Sequence, residues 1–158
     1  MSINISRLTI KHFDPDSPRC HTETEGSFKV YTLVKDGKNT TFEDIKNLEV
    51  NDRKPARSAY TKLFNRTDNI EPLDKNFHGR EYHKGHEFQY QGDTIAIWRL
   101  WLAGTIRIYF IFTPPKNILI LKTLAKRKED LNESEKKRLE NMVKEIINCQ
   151  KNNNVIEI

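Results

Sequence analysis

The stretch that decides the fold is IWRLWLAGTIRIYFIF, residues Ile97–Phe112. Two β-rich runs flank Ala103-Gly104-Thr105, and the pairing register decides where the arginines go. A two-residue turn at Ala103-Gly104 pairs Trp98 with Tyr109 and Arg99 with Ile108. Arg99 then stands among Ile97, Ile106, Ile108 and Phe110, a costly place for an unpaired cation. A three-residue loop, Ala103-Gly104-Thr105, pairs Leu102 with Ile106 and Arg99 with Tyr109. One face then reads Ala96, Trp98, Leu100, Leu102, Ile106, Ile108, Phe110, Phe112, which is a core. The other reads Arg99, Trp101, Arg107, Tyr109, a basic and aromatic platform. A one-residue slip flips every side chain to the other face. Three-residue hairpin loops containing Gly are common, and only that register separates apolar from cationic residues.

Working outward, Thr94–Trp101, Arg107–Phe112 and Ile118–Ala125 are β-rich, and Pro114-Pro115-Lys116-Asn117 supplies the second turn. They predict a three-stranded antiparallel meander. A helix follows: Asn132 and Glu135 have capping-box spacing, and Leu139, Met142, Val143, Ile146 and Ile147 share one side. Upstream, Ile3–Ile10 and Phe28–Val34 read as strands, with a loop from Asp14 to Gly26 between them and a turn at Asp36-Gly37 after them. Two helices come next. Thr41 caps the first, whose face is Phe42, Ile45 and Leu48. Asp52 caps the second, with Pro55 in its first turn and Ala56, Ala59, Tyr60 and Leu63 on one face. Asn65–Gln91 reads as polar and irregular, and Gln150–Ile158 as a frayed or docking tail.

The expected fold class is therefore α+β: an antiparallel sheet with two N-terminal helices and a C-terminal helix packed on it. The expected organisation is a single domain over 1–158, with an N-terminal extension at 1–27, a core at 28–149 and a tail at 150–158.

The chain has 158 residues and a formal net charge of +5. The excess is concentrated. Residues 94–128 hold seven bases (Arg99, Arg107, Lys116, Lys122, Lys126, Arg127, Lys128) and no acid. This favours an anionic partner. No apolar run is long enough for a transmembrane helix, and MSINISRLTI does not read as a signal peptide. Two cysteines are too few for a disulfide framework. The expected setting is cytoplasmic. His83 and His86 stand i, i+3 with no Cys or acidic pair to complete a tetrahedral set, so no metal site is expected. An acid–base or RNA-contacting role stays open for either. Aromatic rings beside Arg and Lys suit single-stranded nucleic acid, where bases stack and phosphates pair with cations. The plainer reading of Arg99, Arg107 and Lys126-Arg127-Lys128 is solvated cations on a half-buried sheet and its exit.

IWRLWLAGTIRIYFIF, with NILILKTLAKRKEDLNESEKKRLENMV after it and FKVYTLVKDGKNTTFEDIKNL and DRKPARSAYTKLF before it, resembles the RelE/ParE/HigB toxin superfamily, in its HigB or phage-derived-like branch. The resemblance spans roughly residues 28–149 and implies a RelE-like core. It implies the toxin of a bacterial type II toxin–antitoxin pair, a ribosome-dependent, metal-independent mRNA endoribonuclease. The implied partners are a cognate antitoxin and mRNA on the ribosome, with no membrane and no small-molecule cofactor. Arg99, Arg107, Lys126, Arg127 and Tyr109 fall where catalytic groups are implied. Lys122, Lys128, Trp101, His83 and His86 are the RNA-contacting candidates. In such chemistry the RNA 2′-OH attacks the adjacent phosphate, so a base, a charge clamp and an acid are required. Many ribonuclease members carry a Tyr or His near the C-terminus. Here no Tyr follows Tyr109 and no His follows His86, which leaves the proton donor open. The alternative is a non-enzymatic binder, either a topoisomerase-type inhibitor or a detoxified nucleic-acid-binding regulator.

Overall fold

The computed structural model describes residues 1–17, 25–125 and 131–158. In chain order its elements are β1 (Ile3–Leu8), a 3-10 turn (Ile10–His12), β2 (Lys29–Lys35), β3 (Lys38–Asn39), α1 (Thr40–Lys46), α2 (Val50–Thr67), α3 (Leu73–Asn76), β4 (Tyr82–Tyr90), β5 (Asp93–Leu102), β6 (Ile106–Thr113), β7 (Asn117–Ala125), α4 (Glu133–Lys151) and β8 (Val155–Glu157). The strands form one eight-stranded sheet in the order β4-β5-β6-β7-β2-β1-β8, with β3 paired to β2 off that path.

This corrects the expected architecture. The sheet is mixed, not antiparallel: β2 runs parallel to β7, and β1 parallel to β8. Parallel neighbours need a long crossover, and the helices and meander between β2 and β7 provide it. The helical complement is α1 to α4, not two N-terminal helices and one C-terminal one. Two further strands come from segments whose sequence gives weak signals. β4 lies inside the stretch read as irregular, and β8 is a three-residue piece of the tail that docks beside β1.

The central hairpin adopts the three-residue register. Leu102 pairs with Ile106, Trp101 with Arg107, and Arg99 with Tyr109. Ala103 and Gly104 both take left-handed backbone angles, with φ of 53° and 81°. β7 pairs antiparallel with β6 and completes the meander.

The helices follow their apolar spacing, with shifted starts. α1 is capped by the Asn39 side chain, which accepts from the Phe42 N–H at 3.1 Å. Thr41, expected as the cap, is instead buried with its hydroxyl 2.7 Å from that of Thr32 on β2. α2 begins at Val50, so Asp52 falls in its first turn. α4 has the Asn132/Glu135 capping box as expected.

The sheet separates two apolar layers. On one face Leu100, Leu102, Ile106, Ile108 and Phe110 pack with Ala56, Ala59, Tyr60 and Leu63 of α2 and Ile45 of α1. Ala56 and Ala59 are fully buried, and their small side chains let the helix lie close to the strands. On the other face Ile97, Tyr109, Ile111, Leu119 and Leu121 pack with Leu139, Val143 and Ile146 of α4. Among the described residues no helix is long and apolar enough to cross a membrane.

Candidate functional site

The expected platform of Arg99, Trp101, Arg107 and Tyr109 is not an open surface. Its face is the one that α4 covers. Arg99 is 8% exposed, Arg107 3% and Tyr109 2%. Sequence periodicity gives α4 an apolar side but does not say which face of the sheet that side meets.

β4 completes the site. It pairs with β5 through a two-residue turn at Gln91-Gly92, with φ of 51° and 83°, the left-handed pair of a type I′ turn. A β-bulge at Gly85 interrupts the ladder between Lys84 and His86. Before it, His83 opposes Arg99; after it, His86 opposes Ile97. Three residues apart on a regular strand, two side chains point to opposite faces. The bulge puts both histidines on the face that carries Ile97, Arg99 and Tyr109. Gly85 lies so close to β5 that an added Cβ would sit 3.1 Å from the Ile97 carbonyl oxygen and 3.6 Å from the Tyr109 ring.

The register then lines up four named residues across four strands: His83 opposite Arg99, Arg99 opposite Tyr109, and Tyr109 opposite Lys122. The adjacent row holds Trp101 opposite Arg107. The Arg99 guanidinium is in hydrogen-bond contact with Nε2 of His83. Arginine only donates, so Nε2 is the acceptor. Nδ1, 3.2 Å from the Lys84 carbonyl oxygen, is then the protonated nitrogen. Hydrogen bonding thus fixes both the ring's orientation and its tautomer. Trp101 lies under both guanidinium groups, with ring-centre distances of 5.9 Å to Arg99 and 5.0 Å to Arg107. Its indole N–H donates to the Gly104 carbonyl at 2.8 Å. His83 and Trp101 are the half-buried members, and the arginines are the buried ones.

The other candidates separate from this group. Lys122 belongs to the row, but its ammonium is 3.0 Å from Asp44 of α1. Asp44 also accepts the Thr123 backbone N–H at 2.9 Å. Burial raises the Asp44 carboxyl above its ordinary range, although the Thr123 N–H and the Lys122 charge oppose the rise. His86 faces α4, with Nε2 4.0 Å from the Glu140 carboxylate and no hydrogen bond among the described residues. Burial lowers its pKa; Glu140 opposes that and Lys136 adds to it. Lys126, Arg127 and Lys128 lie outside the described residues.

Sequence reasoning missed Gly85 and Glu140. A lone Gly within an aromatic run was the available signal for the bulge. Nothing local could have matched Glu140 to His86. Among the described residues, no three His, Cys, Asp or Glu side chains come together as a metal-binding group. Chemically, the site offers an oriented imidazole, two guanidinium groups and an indole on one end of a sheet face.

No family model, no curated protein and no solved structure matches this chain.

Proposed function

We propose that this protein is an RNA-cleaving toxin of the RelE/ParE/HigB kind. It acts in the cytoplasm as a metal-independent endoribonuclease on ribosome-bound mRNA, and a cognate antitoxin restrains it by covering the basic end of the sheet. The observation that carries this reading is the His83–Arg99 contact beside Arg107 and Trp101. An RNA phosphate draws the Arg99 guanidinium onto its own oxygens, because charge-assisted pairing to phosphate is stronger than a bond to a neutral ring. That frees Nε2 of His83 to take the proton from the attacking 2′-OH. Arg99 and Arg107 offset the extra negative charge that develops on the phosphate. Trp101 gives an unstacked base a surface to rest on. The protonated His83 then returns its proton to the leaving 5′-oxygen. This supplies a donor on β4 where the sequence has no C-terminal Tyr or His.

The burial of both arginines favours a second reading, a non-enzymatic binder in which the guanidinium groups brace Trp101. One experiment separates the two. Wild type, His83→Gln and Arg99→Gln are expressed under induction in bacteria while growth and message length are followed. Cleavage predicts growth arrest with shortened messages for wild type. Either substitution should lower the cleavage rate about 10²-fold or more, the scale of losing one group that stabilises transition-state charge or transfers a proton. Arrest with an intact message pool would sink the nuclease reading and leave the binder.

A further inference from the structure

We infer that α2 carries a second anion-binding surface, which docks the phosphate backbone of double-helical nucleic acid independently of base sequence. α2 holds five bases, Arg53, Lys54, Arg57, Lys62 and Arg66, against one acid, Asp52. Two of the five are engaged: Arg53 donates to the Leu48 carbonyl at 3.2 Å, and Arg66 pairs with Glu81 at 2.7 Å. Lys54, Arg57 and Lys62 are exposed, and their side chains make no hydrogen bond or ion pair among the described residues. At 100° per residue these three fall on one face with Ser58, Thr61 and Asn65. Together they line a shallow groove with Phe13 and, among the described residues, one carboxylate, Asp14. From residue 54 to residue 65 the stripe runs about 16 Å along the helix.

The make-up of the stripe selects the partner. Lys, Arg, Ser, Thr and Asn are the side chains that hold phosphate oxygens. Protein interfaces are instead centred on aromatic or aliphatic anchors and depleted in Lys. Of the large exposed hydrophobic residues, only Val50, the first residue of α2, belongs to this helix. Among the described residues, the cation-bearing side of α2 itself carries no aromatic ring, and Phe13, which lines the groove, is buried, so unstacked bases have little to stack on along the stripe. A paired backbone is the form that fits. α2 packs on the sheet face opposite to the one bearing Arg99 and Arg107, so this surface stands whether or not that site cuts RNA.

The test measures binding of the full chain to fluorescent duplexes of ~20 base pairs, one RNA and one DNA of mixed sequence, and to polyglutamate, across salt. The variants are Lys54→Gln/Arg57→Gln/Lys62→Gln and the charge-retaining Lys54→Arg/Lys62→Arg. Each neutralised phosphate adds about −0.9 to the logarithmic salt slope. Between ~50 and ~200 mM salt, wild type should therefore lose about 40-fold more affinity for duplex than the triple variant does. The charge-retaining variant should follow wild type, and Arg99→Gln should keep this α2-dependent difference. A preference for RNA or DNA identifies which duplex the stripe serves. A triple variant with unchanged duplex affinity and slope overturns the inference. So does an equal or larger loss of polyglutamate binding, which would assign the stripe to an acidic protein.

Discussion

On one face of the meander, Leu100, Leu102, Ile106, Ile108 and Phe110 meet α1 and α2 with no charged side chain in the cluster. On the other, Ile97, Tyr109 and Ile111 lie under α4, while Arg99 and Arg107 are buried on the same strands and His83 stands beside Arg99. Both faces exclude water, but the polar groups fully buried on the first are neutral hydroxyls that bond one another, those of Thr32, Thr41, Tyr60 and Thr123, whereas the second buries guanidinium charge. Burying a guanidinium carries a desolvation penalty that its partners at best offset, and an apolar residue of similar volume is often as stable or more so. Stability therefore accounts for the first face but not for the composition of the second. The excess positive charge of residues 94–128 includes two cations held at the edge of a core, not a solvated patch.

The largest effect should come from the apolar face. Leu63 is fully buried between α2 and the sheet. Leu63→Ala should lower unfolding stability by about 2–5 kcal/mol, through lost burial and the cavity left behind, as read by urea titration. His83→Gln keeps a side-chain acceptor for Arg99 and should change stability by less than about 1 kcal/mol. If the two variants lose comparable stability, the division between a structural face and a chemical one fails.

A smaller effect should appear at the bulge that places both histidines on the second face. Gly85→Ala brings a Cβ against the Ile97 carbonyl oxygen, at 3.1 Å, and against the Tyr109 ring. Backbone cannot rotate away as a flexible side chain can, so β4 must shift. The expected cost is about 1–3 kcal/mol, as for overpacking elsewhere. Amide exchange should quicken along Tyr82–Tyr90 but not in α2. Uniform loss of protection would mean that the bulge braces the whole sheet rather than placing two histidines.

What was legible in the sequence follows the same division. The hairpin register could be read because only one pairing keeps Arg99 and Arg107 away from Leu100, Ile106 and Phe110. The face of α2 could be read because Ala56, Ala59, Tyr60 and Leu63 repeat at helical spacing. β4 could not, because the bulge at Gly85 breaks the alternation that marks a strand. Its outward residues Lys84, Glu87 and Gln89 also look like loop. The parallel pairing of β2 with β7 and of β1 with β8 joins segments distant along the chain, and no local pattern encodes it. That the face of Ile97 and Tyr109 is a covered one was missed for a related reason. An amphipathic helix such as α4 announces that it covers something, not what it covers.

The smallest effect should be a pH dependence confined to the face under α4. His86 packs against Glu140, and burial holds its pKa below the ordinary value, with Glu140 opposing and Lys136 reinforcing. In the unfolded chain the ring takes up a proton near pH ~6.5; in the folded protein it resists until the pH is lower. Through that window the unfolded state binds more protons, so stability falls as pH falls. His86→Gln removes this contribution. The stability difference between wild type and variant should therefore shrink or turn against wild type on going from pH ~7.5 to ~5.5, by less than about 1.4 kcal/mol per pH unit for one proton. Asp44 works in the opposite sense, because burial raises its carboxyl. It is present in both proteins, so the difference between them isolates His86. A difference that instead moves in favour of wild type on acidification would mean that attraction to Glu140 outweighs burial. The α4 edge would then be an acid-stabilised ion pair, and the contrast between a face that buries only neutral groups and one that holds charge at a cost would have to be redrawn there.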